Sequence, residues 1–269
     1  MMSSDLRVSP TVLSIAGFDP GGGAGIIADI KTFSVFNVYG TAVITTLTVQ
    51  NHTDFSDMIP VDRDMLKNQL EAVFNGYDIK AVKIGLLPYP EVLSTVADCL
   101  YKKIKIKIVV DPVFSATSGR KFVSREIIDL YKERIFPISS IITPNINELS
   151  ILTNKKISAV DDMIKAAKKL NIETGIPVLA KGGHLKNKAV DILIGVGSEK
   201  RFESEIYRGI DTHGSGCILS SAICANLANG KEIEKSVEIS KDFIKKLLNN
   251  GRNIKKTGNI LDPLSDYFG

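Results

Sequence analysis

The sequence predicts an α/β fold, a three-layer α/β/α sandwich with a mostly parallel central sheet. Two observations carry this. Short β-branched apolar runs alternate with amphipathic stretches almost throughout the 269 residues, the pattern of parallel strands joined by crossover helices. Glycines and polar residues gather just after those runs, where sheets of this kind bind their ligands. A composition of 44% hydrophobic and 24% charged residues suits a globular chain with a sizeable core.

In chain order, residues 1–10 are polar and read as a flexible tail. Residues 12–16, 42–49, 81–84, 106–110, 140–143 and 177–180 read as buried strands. Between them, Leu66, Leu70, Val73 and Phe74 keep a helical period, as do Val160, Ile164, Ala167 and Leu170, and later Ile233, Val237, Ile244 and Leu247. Residues 190–196 and 201–207 flank Gly197-Ser198 and predict a hairpin-like pair near a sheet edge. Asn229-Gly230 suits a helix C-cap before the last long helix, and residues 251–269 read as a loosely packed surface tail. With no repeat and no long Pro/Gly/Ser linker, residues 1–269 are expected to form a single domain.

Several function classes are disfavoured. The net charge is +4 with lysines scattered over the chain, Trp is absent, and Phe and Tyr are dispersed. No basic stripe interleaved with aromatics invites nucleic acid. No apolar run approaches the ~20 residues of a membrane span, and the polar start lacks a signal-peptide core. The cytoplasm is the expected location, with no membrane partner.

Cys99, Cys217 and Cys224 make neither a disulfide framework nor a metal spacing. Cys217 and Cys224 lie two helical turns apart, about 10.5 Å of rise, too far to bridge. Cys99 and Cys224 sit among apolar residues and read as core. Cys217, beside glycines at a helix start, is in a setting that lowers a thiol pKa.

Candidate ligand residues follow the strands. The run Gly17-Phe18-Asp19-Pro20-Gly21-Gly22-Gly23-Ala24-Gly25 resembles a nucleotide loop but lacks both the G-x-G-x-x-G spacing and the Walker A lysine. Asp29 lies early in the next helix, where an acid favours the dipole. Asp111-Pro112 ends an apolar strand, and an acid there caps the next segment or holds Mg²⁺ through water. Asn145 can cap a helix that carries Glu148 at its third position, a near capping box. Lys181-Gly182-Gly183-His184 places a lysine at a strand end, where it can reach phosphate. His52, His184 and His213 lack partners at metal-ligand spacing. Asp211-Thr212-His213-Gly214-Ser215-Gly216-Cys217 then opens an apolar helix, so two glycines let an anion approach the helix N-terminus closely.

These motifs together resemble the hydroxymethylpyrimidine and phosphomethylpyrimidine kinases of thiamine biosynthesis, within the ribokinase-like superfamily. The resemblance runs from about Val12 to Leu248 and includes Val49-Gln50-Asn51, Lys83-Ile84-Gly85 and Thr143-Pro144-Asn145. It implies that Gly17, Asp29 and Gln50 bind the pyrimidine, and that Asn145 and Lys181 address ATP. It also implies that Asp111 and Glu148 hold Mg²⁺, and that Gly214, Ser215, Gly216 and Cys217 form the anion hole, with Cys217 a base for the first hydroxyl. The Gln amide, with a donor and an acceptor, matches an aminopyrimidine edge. A homodimer is expected on the same ground. Phe18, Ile27 and Leu86-Leu87 depart from the family's usual residues and bear on pocket shape. A pyridoxal or pyridoxine kinase is the near rival, and a pyrimidine-binding sensor without catalysis the distant one. Cys217 favours the pyrimidine branch over the first, and the presence of Asp111, Lys181 and Cys217 argues against the second.

Overall fold

The structure, a computed structural model, describes residues 9–51, 54–103, 105–115, 122–183, 189–204, 213–249, 252–254 and 258–265. Most of the expected N-terminal tail, His52, His184, and residues 205–207 of the expected hairpin lie outside the described residues, as do Asp211 and Thr212. The elements run β1 (Thr11–Phe18), α1 (Gly25–Val35), β2 (Tyr39–Gln50), β3 (Phe55–Pro60), α2 (Arg63–Gly76), β4 (Ile79–Ile84), α3 (Pro90–Tyr101), β5 (Lys107–Val110) and α4 (Arg125–Leu130). After two irregular helical turns come β6 (Ile141–Ile142), α5 (Ile146–Thr153), α6 (Val160–Thr174), β7 (Val178–Lys181), β8 (Ala189–Gly195), β9 (Ser198–Ser204), α7 (Ser215–Ala228) and α8 (Ile233–Asn249).

Nine strands form one sheet in the order β3-β2-β1-β4-β5-β6-β7-β8-β9. The six from β2 to β7 are parallel, while β3, β8 and β9 pair antiparallel. Successive strand residues point to opposite faces. Leu13 and Ile15, Val82, Ile108 and Val110, and Val178 therefore join the core under α2 to α6, whereas Val12, Ala81, Val109 and Leu179 join the core under α1, α7 and α8. That alternation builds the three layers the sequence predicts.

Two departures have local causes. β3 was not expected: its sequence, Phe-Ser-Asp-Met-Ile-Pro, has mostly exposed side chains, so no buried face marks it. The described parts of the C-terminal segment also hold more structure than a loose tail. β10 (Arg252–Ile254) pairs antiparallel with β11 (Gly258–Ile260), and Leu261 is buried in the core of α1, α7 and α8. No described helix is long and apolar enough to cross a membrane.

The chain proceeds from β1 to β2 on one side, then returns across β1 to β4 on the other. Such a switch point opens a crevice beyond the carboxyl ends of the strands. Each strand stops where the chemistry begins: β5 at Asp111-Pro112, where Pro has no N–H for the ladder, and β7 at Lys181-Gly182, where an added Cβ would run into the carbonyl oxygen of Val190.

Candidate active site

A cavity of about 330 Å³ fills that crevice. Gly17, Gln50, Asp111, Asn145, Glu148, Lys181, Gly214, Ser215, Gly216 and Cys217 all line it. Ten residues spread over two hundred positions of sequence thus meet at one place because each ends or follows a strand, or opens a helix, on the same edge of the sheet.

One end is suited to anions. Gly214 caps α7 at φ +79°, and an added Cβ would strike the carbonyl oxygen of Gly23. The two glycine loops therefore interlock, backbone against backbone, and only glycine fits. The first N–H groups of α7 have no intrahelical acceptor and aim at the cavity with the positive end of the helix dipole. A Cβ at Gly216 would stand 3.1 Å from Lys181 Nζ and 3.7 Å from Asp111 Oδ2, so the loop closes over that pair. Lys181 Nζ donates to Asp111 Oδ1 at 2.6 Å. Burial pushes the Lys181 ammonium down, but Asp111 and Glu148 more than reverse it, leaving its pKa raised.

Asn145 and Glu148 complete the expected capping box at the start of α5: Glu148 N donates to Asn145 Oδ1 at 2.9 Å and Asn145 N to Glu148 Oε2 at 2.7 Å. Asn145 is also set beside β7, because Lys181 N donates to Pro144 O at 2.8 Å. Burial pushes the Glu148 carboxyl up to about 8, with Asp111 acting in the same direction against Lys181 and two backbone amides. Two buried carboxyl groups facing a cavity are hard oxygen donors that suit Mg²⁺, whose shell keeps several waters. Among the described residues no third acid, His or Cys joins them as a metal cluster.

The other end is suited to a flat ring. Gln50 ends β2, where the pairing with β3 slips by one residue between Val49 and Gln50; such a bulge re-aims a side chain. A Cβ at Gly17 would crowd Leu86 at 3.2 Å, so the bare backbone leaves that wall open. Phe55 and Phe122, 4.8 Å apart between ring centroids, form an aromatic wall.

Two expectations are corrected. Asp29 does not line the cavity; it is completely buried behind it. Its carboxylate is bound by Lys83 Nζ at 2.8 and 2.9 Å, Ser14 Oγ at 2.5 Å and Ser221 Oγ at 2.7 Å. Those donors exhaust it, and Lys83 is the member of the group that reaches the cavity wall. Cys217, in turn, does not have a lowered pKa. It is half-buried by area, yet desolvation dominates and, with Asp29 and Asp111, pushes the thiol up to about 11 despite Lys83 and the Gly25 backbone amide.

The sequence assigns no role to Lys83 and offers His213 no partner at metal-ligand spacing. It marks Asp19 as a strand-end candidate without a stated role. Asp19 is buried on the cavity wall and accepts from Gly21 N at 2.8 Å and Ala24 N at 2.9 Å. His213 Nε2 stands 3.9 Å from its Oδ2. Burial pushes the Asp19 carboxyl up, but the nearby His213 imidazole, those two amides and the nearby Gln50 side chain hold it below the usual carboxylate range. The signal available in sequence was the position of both residues in glycine loops at strand ends.

Comparison with known proteins agrees with this fold. The phosphomethylpyrimidine kinase family profile matches residues 19–262. A hydroxymethylpyrimidine/phosphomethylpyrimidine kinase of Aquifex aeolicus is 41% identical over 251 residues, 93% of this chain and 98% of its own. The crystal structure of phosphomethylpyrimidine kinase from Clostridium difficile superposes with a TM-score of 0.79 at 39% identity, covering 88% of this chain and 99% of that one. An ADP complex of Bacillus subtilis pyridoxal kinase superposes with a TM-score of 0.87 at 32% identity, covering 97% of this chain and 100% of that one.

Proposed function

The chain belongs to the phosphomethylpyrimidine kinase family, and from that premise we propose that it transfers the γ-phosphoryl group of ATP to 4-amino-5-hydroxymethyl-2-methylpyrimidine and then to the resulting monophosphate. One observation carries the reading: a single cavity joins a Gln amide and an open glycine wall at one end to a lysine, two acids and a helix N-terminus at the other. A ring held at the first end would present its hydroxymethyl group to a phosphate held at the second.

Gln50 and Gly17 hold the pyrimidine, and Lys83, backed by Asp29, supplies positive charge beneath it. Asn145 and Lys181 address the ATP phosphates. Asp111 and Glu148 would hold Mg²⁺, which supplies charge neutralisation on the phosphates when bound. In the first transfer the hydroxyl oxygen attacks the γ-phosphorus, the bond to the β–γ bridging oxygen breaks, and ADP leaves. The amides opening α7, at Ser215, Gly216 and Cys217, face the charge on the transferred group, and Lys181 adds to them. The Cys217 sulfur, after losing its own proton to solvent, takes the hydroxyl proton. In the second transfer the attacking oxygen is already an anionic phosphate oxygen, so no proton need be removed.

We further propose that the protein acts as a single-domain homodimer in the cytoplasm. Leu47, Val49 and Ile59 are exposed on β2 and β3, with Leu47 and Ile59 directly paired across the strands, and an apolar edge of this kind suits a second copy.

The resemblance to a pyridoxal kinase supports a second acceptor class, a hydroxymethyl group on a pyridine ring. Product analysis with MgATP and each of the pyrimidine alcohol, its monophosphate and pyridoxal separates the two readings. The expected products are the pyrimidine monophosphate and diphosphate. Phosphorylation of pyridoxal alone would overturn the proposal.

A further inference from the structure

We propose that Lys241, on α8 and not among the residues that line the cavity, is a positioning residue for Lys181: by neutralising Asp191 it keeps the Lys181 ammonium turned toward Asp111. The inference rests on the reading of Lys181 as a ligand of the ATP phosphates.

β7 and β8 run antiparallel, with Leu179 opposite Leu193 and Lys181 opposite Asp191. Opposed residues share a face of the sheet, and so do residues two apart on one strand. Leu179 and Leu193 both join the core under α1, α7 and α8, so Lys181 and Asp191 project from that same face. Directly opposed residues have Cβ atoms about 5 Å apart, a gap that a lysine side chain spans with ease. Opposite charges so placed attract one another across the strands. Lys181 nevertheless turns the other way and donates to Asp111 Oδ1 at 2.6 Å.

Asp191 is engaged elsewhere. Its Oδ2 accepts from Lys241 Nζ at 2.6 Å and its Oδ1 from Gly182 N at 2.9 Å. The side chains of that ion pair are only 16% and 7% exposed, so water screens it little. A carboxylate at this depth needs a cation, since an unpaired buried charge is costly. Lysines stand on two sides of it, Lys181 across the strands and Lys241 on α8. Lys241 meets the need and leaves Lys181 to the cavity.

The backbone at Lys181 is held separately. Lys181 N donates to Pro144 O at 2.8 Å, and the next amide, Gly182 N, is the one that Asp191 accepts. With the main chain fixed on both sides, the side chain alone is left to choose between two carboxylates. Removing the Lys241 charge reverses that choice: Asp191 loses its counter-charge, and the cation opposite it in register is Lys181.

Equilibrium titration with MgATP, which needs no acceptor, tests this in wild type, Lys241→Met, Lys241→Met with Asp191→Asn, and Lys181→Met with and without Lys241→Met. Lys241→Met should weaken binding about tenfold or more, the fold-change of one lost charge-assisted hydrogen bond. Asn at 191 still accepts from Gly182 N but no longer draws Lys181 away, so the Lys241→Met, Asp191→Asn variant should return to within about threefold of wild type. Lys241→Arg keeps the ion pair and should bind as wild type does. In the Lys181→Met background, Lys241→Met should add less than about twofold, because the group it acts through is gone. If Lys241→Met does not fold, Lys241→Gln takes its place with the same expectations, since it still donates to Asp191 but leaves the charge uncompensated. A folded variant that binds as tightly as wild type overturns the assignment to Lys241. So does a weakening that Asp191→Asn fails to reverse, or one equally large without Lys181, because either would mark a role in stability alone. Unchanged binding by Lys181→Met overturns instead the reading of Lys181 as a phosphate ligand, and this inference with it.

Discussion

Replacing Cys217 by Ser tests whether its sulfur removes a proton. Serine keeps nearly the same volume, so the packing at the third residue of α7 survives, while a group that can ionise in the accessible range is lost. Burial pushes the thiol up to about 11. At pH 7.5 only about one molecule in 3,000 then carries a thiolate, and forming it costs about 5 kcal/mol at 1.36 kcal/mol per pH unit. The raised pKa also makes the thiolate a strong base, so scarcity and strength partly offset one another. The rate of a step that requires the thiolate should climb about tenfold per pH unit well below that pKa.

The assay is single-turnover phosphoryl transfer from MgATP between pH 7 and 9.5, with the alcohol and the monophosphate measured separately. Wild type should show the climb for the alcohol and a nearly flat profile for the monophosphate, whose attacking oxygen is already anionic. Cys217→Ser should slow the first transfer by about 10²-fold or more, the usual contribution of a positioned base, and flatten its profile. Equal losses on both acceptors would refute the reasoning, because they would reveal a role in positioning. So would a climb that persists unchanged in the variant, because hydroxide or another group would then be removing the proton.

Three further outcomes follow from the same geometry. Gly214→Ala should cost clearly more stability in denaturant titrations than Gly230→Ala. Both glycines are left-handed, at φ +79° and +77°, but only Gly214 faces a backbone oxygen while Gly230 has open space. About 1 kcal/mol is expected for the open site, the lower end of the cost of left-handed strain, and equal losses would remove the interlocking of the two glycine loops from the account. Asp29→Asn leaves Lys83 buried without its counter-charge and should cost about 3–5 kcal/mol, whereas Asp29→Leu with Lys83→Met should recover most of it; chemical denaturation decides, and a loss below about 1 kcal/mol for the single variant would contradict a tight buried pair. Asp111→Asn and Glu148→Gln should each raise the Mg²⁺ concentration needed for half-maximal rate. Gln at 148 can still accept from Asn145 N and so preserves the capping box, and an unchanged metal titration would detach these acids from the ion.

Much of the fold was legible because burial on two faces leaves a continuous apolar signature. The strand cores at 12–16, 81–84 and 177–180 are apolar at nearly every position since one residue faces α1, α7 and α8 and the next faces α2 to α6. β3 escaped notice for the converse reason. It holds its place by pairing with β2, and most of its side chains face solvent, so no hydrophobic period records it. The hairpin of β10 and β11 is three residues on each side, too short for any period to appear.

The site was legible to the same depth and failed at the same kind of point. A rule about strand ends finds Gln50, Asp111 and Lys181 one at a time, because each reports its own position along the sheet. No such rule finds a partner. Asp29 meets Lys83 across 54 residues and Ser221 across 192, and only the packing of α1 and α7 against β4 makes them neighbours. The same limit explains why Cys217 departs from the lowered thiol pKa that its local setting predicts. A helix start and nearby glycines are local signals that argue for an acidic thiol, but desolvation and the carboxylates of Asp29 and Asp111 come from elements remote in the chain, and together they outweigh Lys83. Charge on a side chain is thus a property of the folded neighbourhood, and the charged residues that set it for Cys217, namely Lys83, Asp29 and Asp111, lie far from it in the chain. For this site most of the residues that line the cavity can be read from the sequence, while those that set their charge cannot.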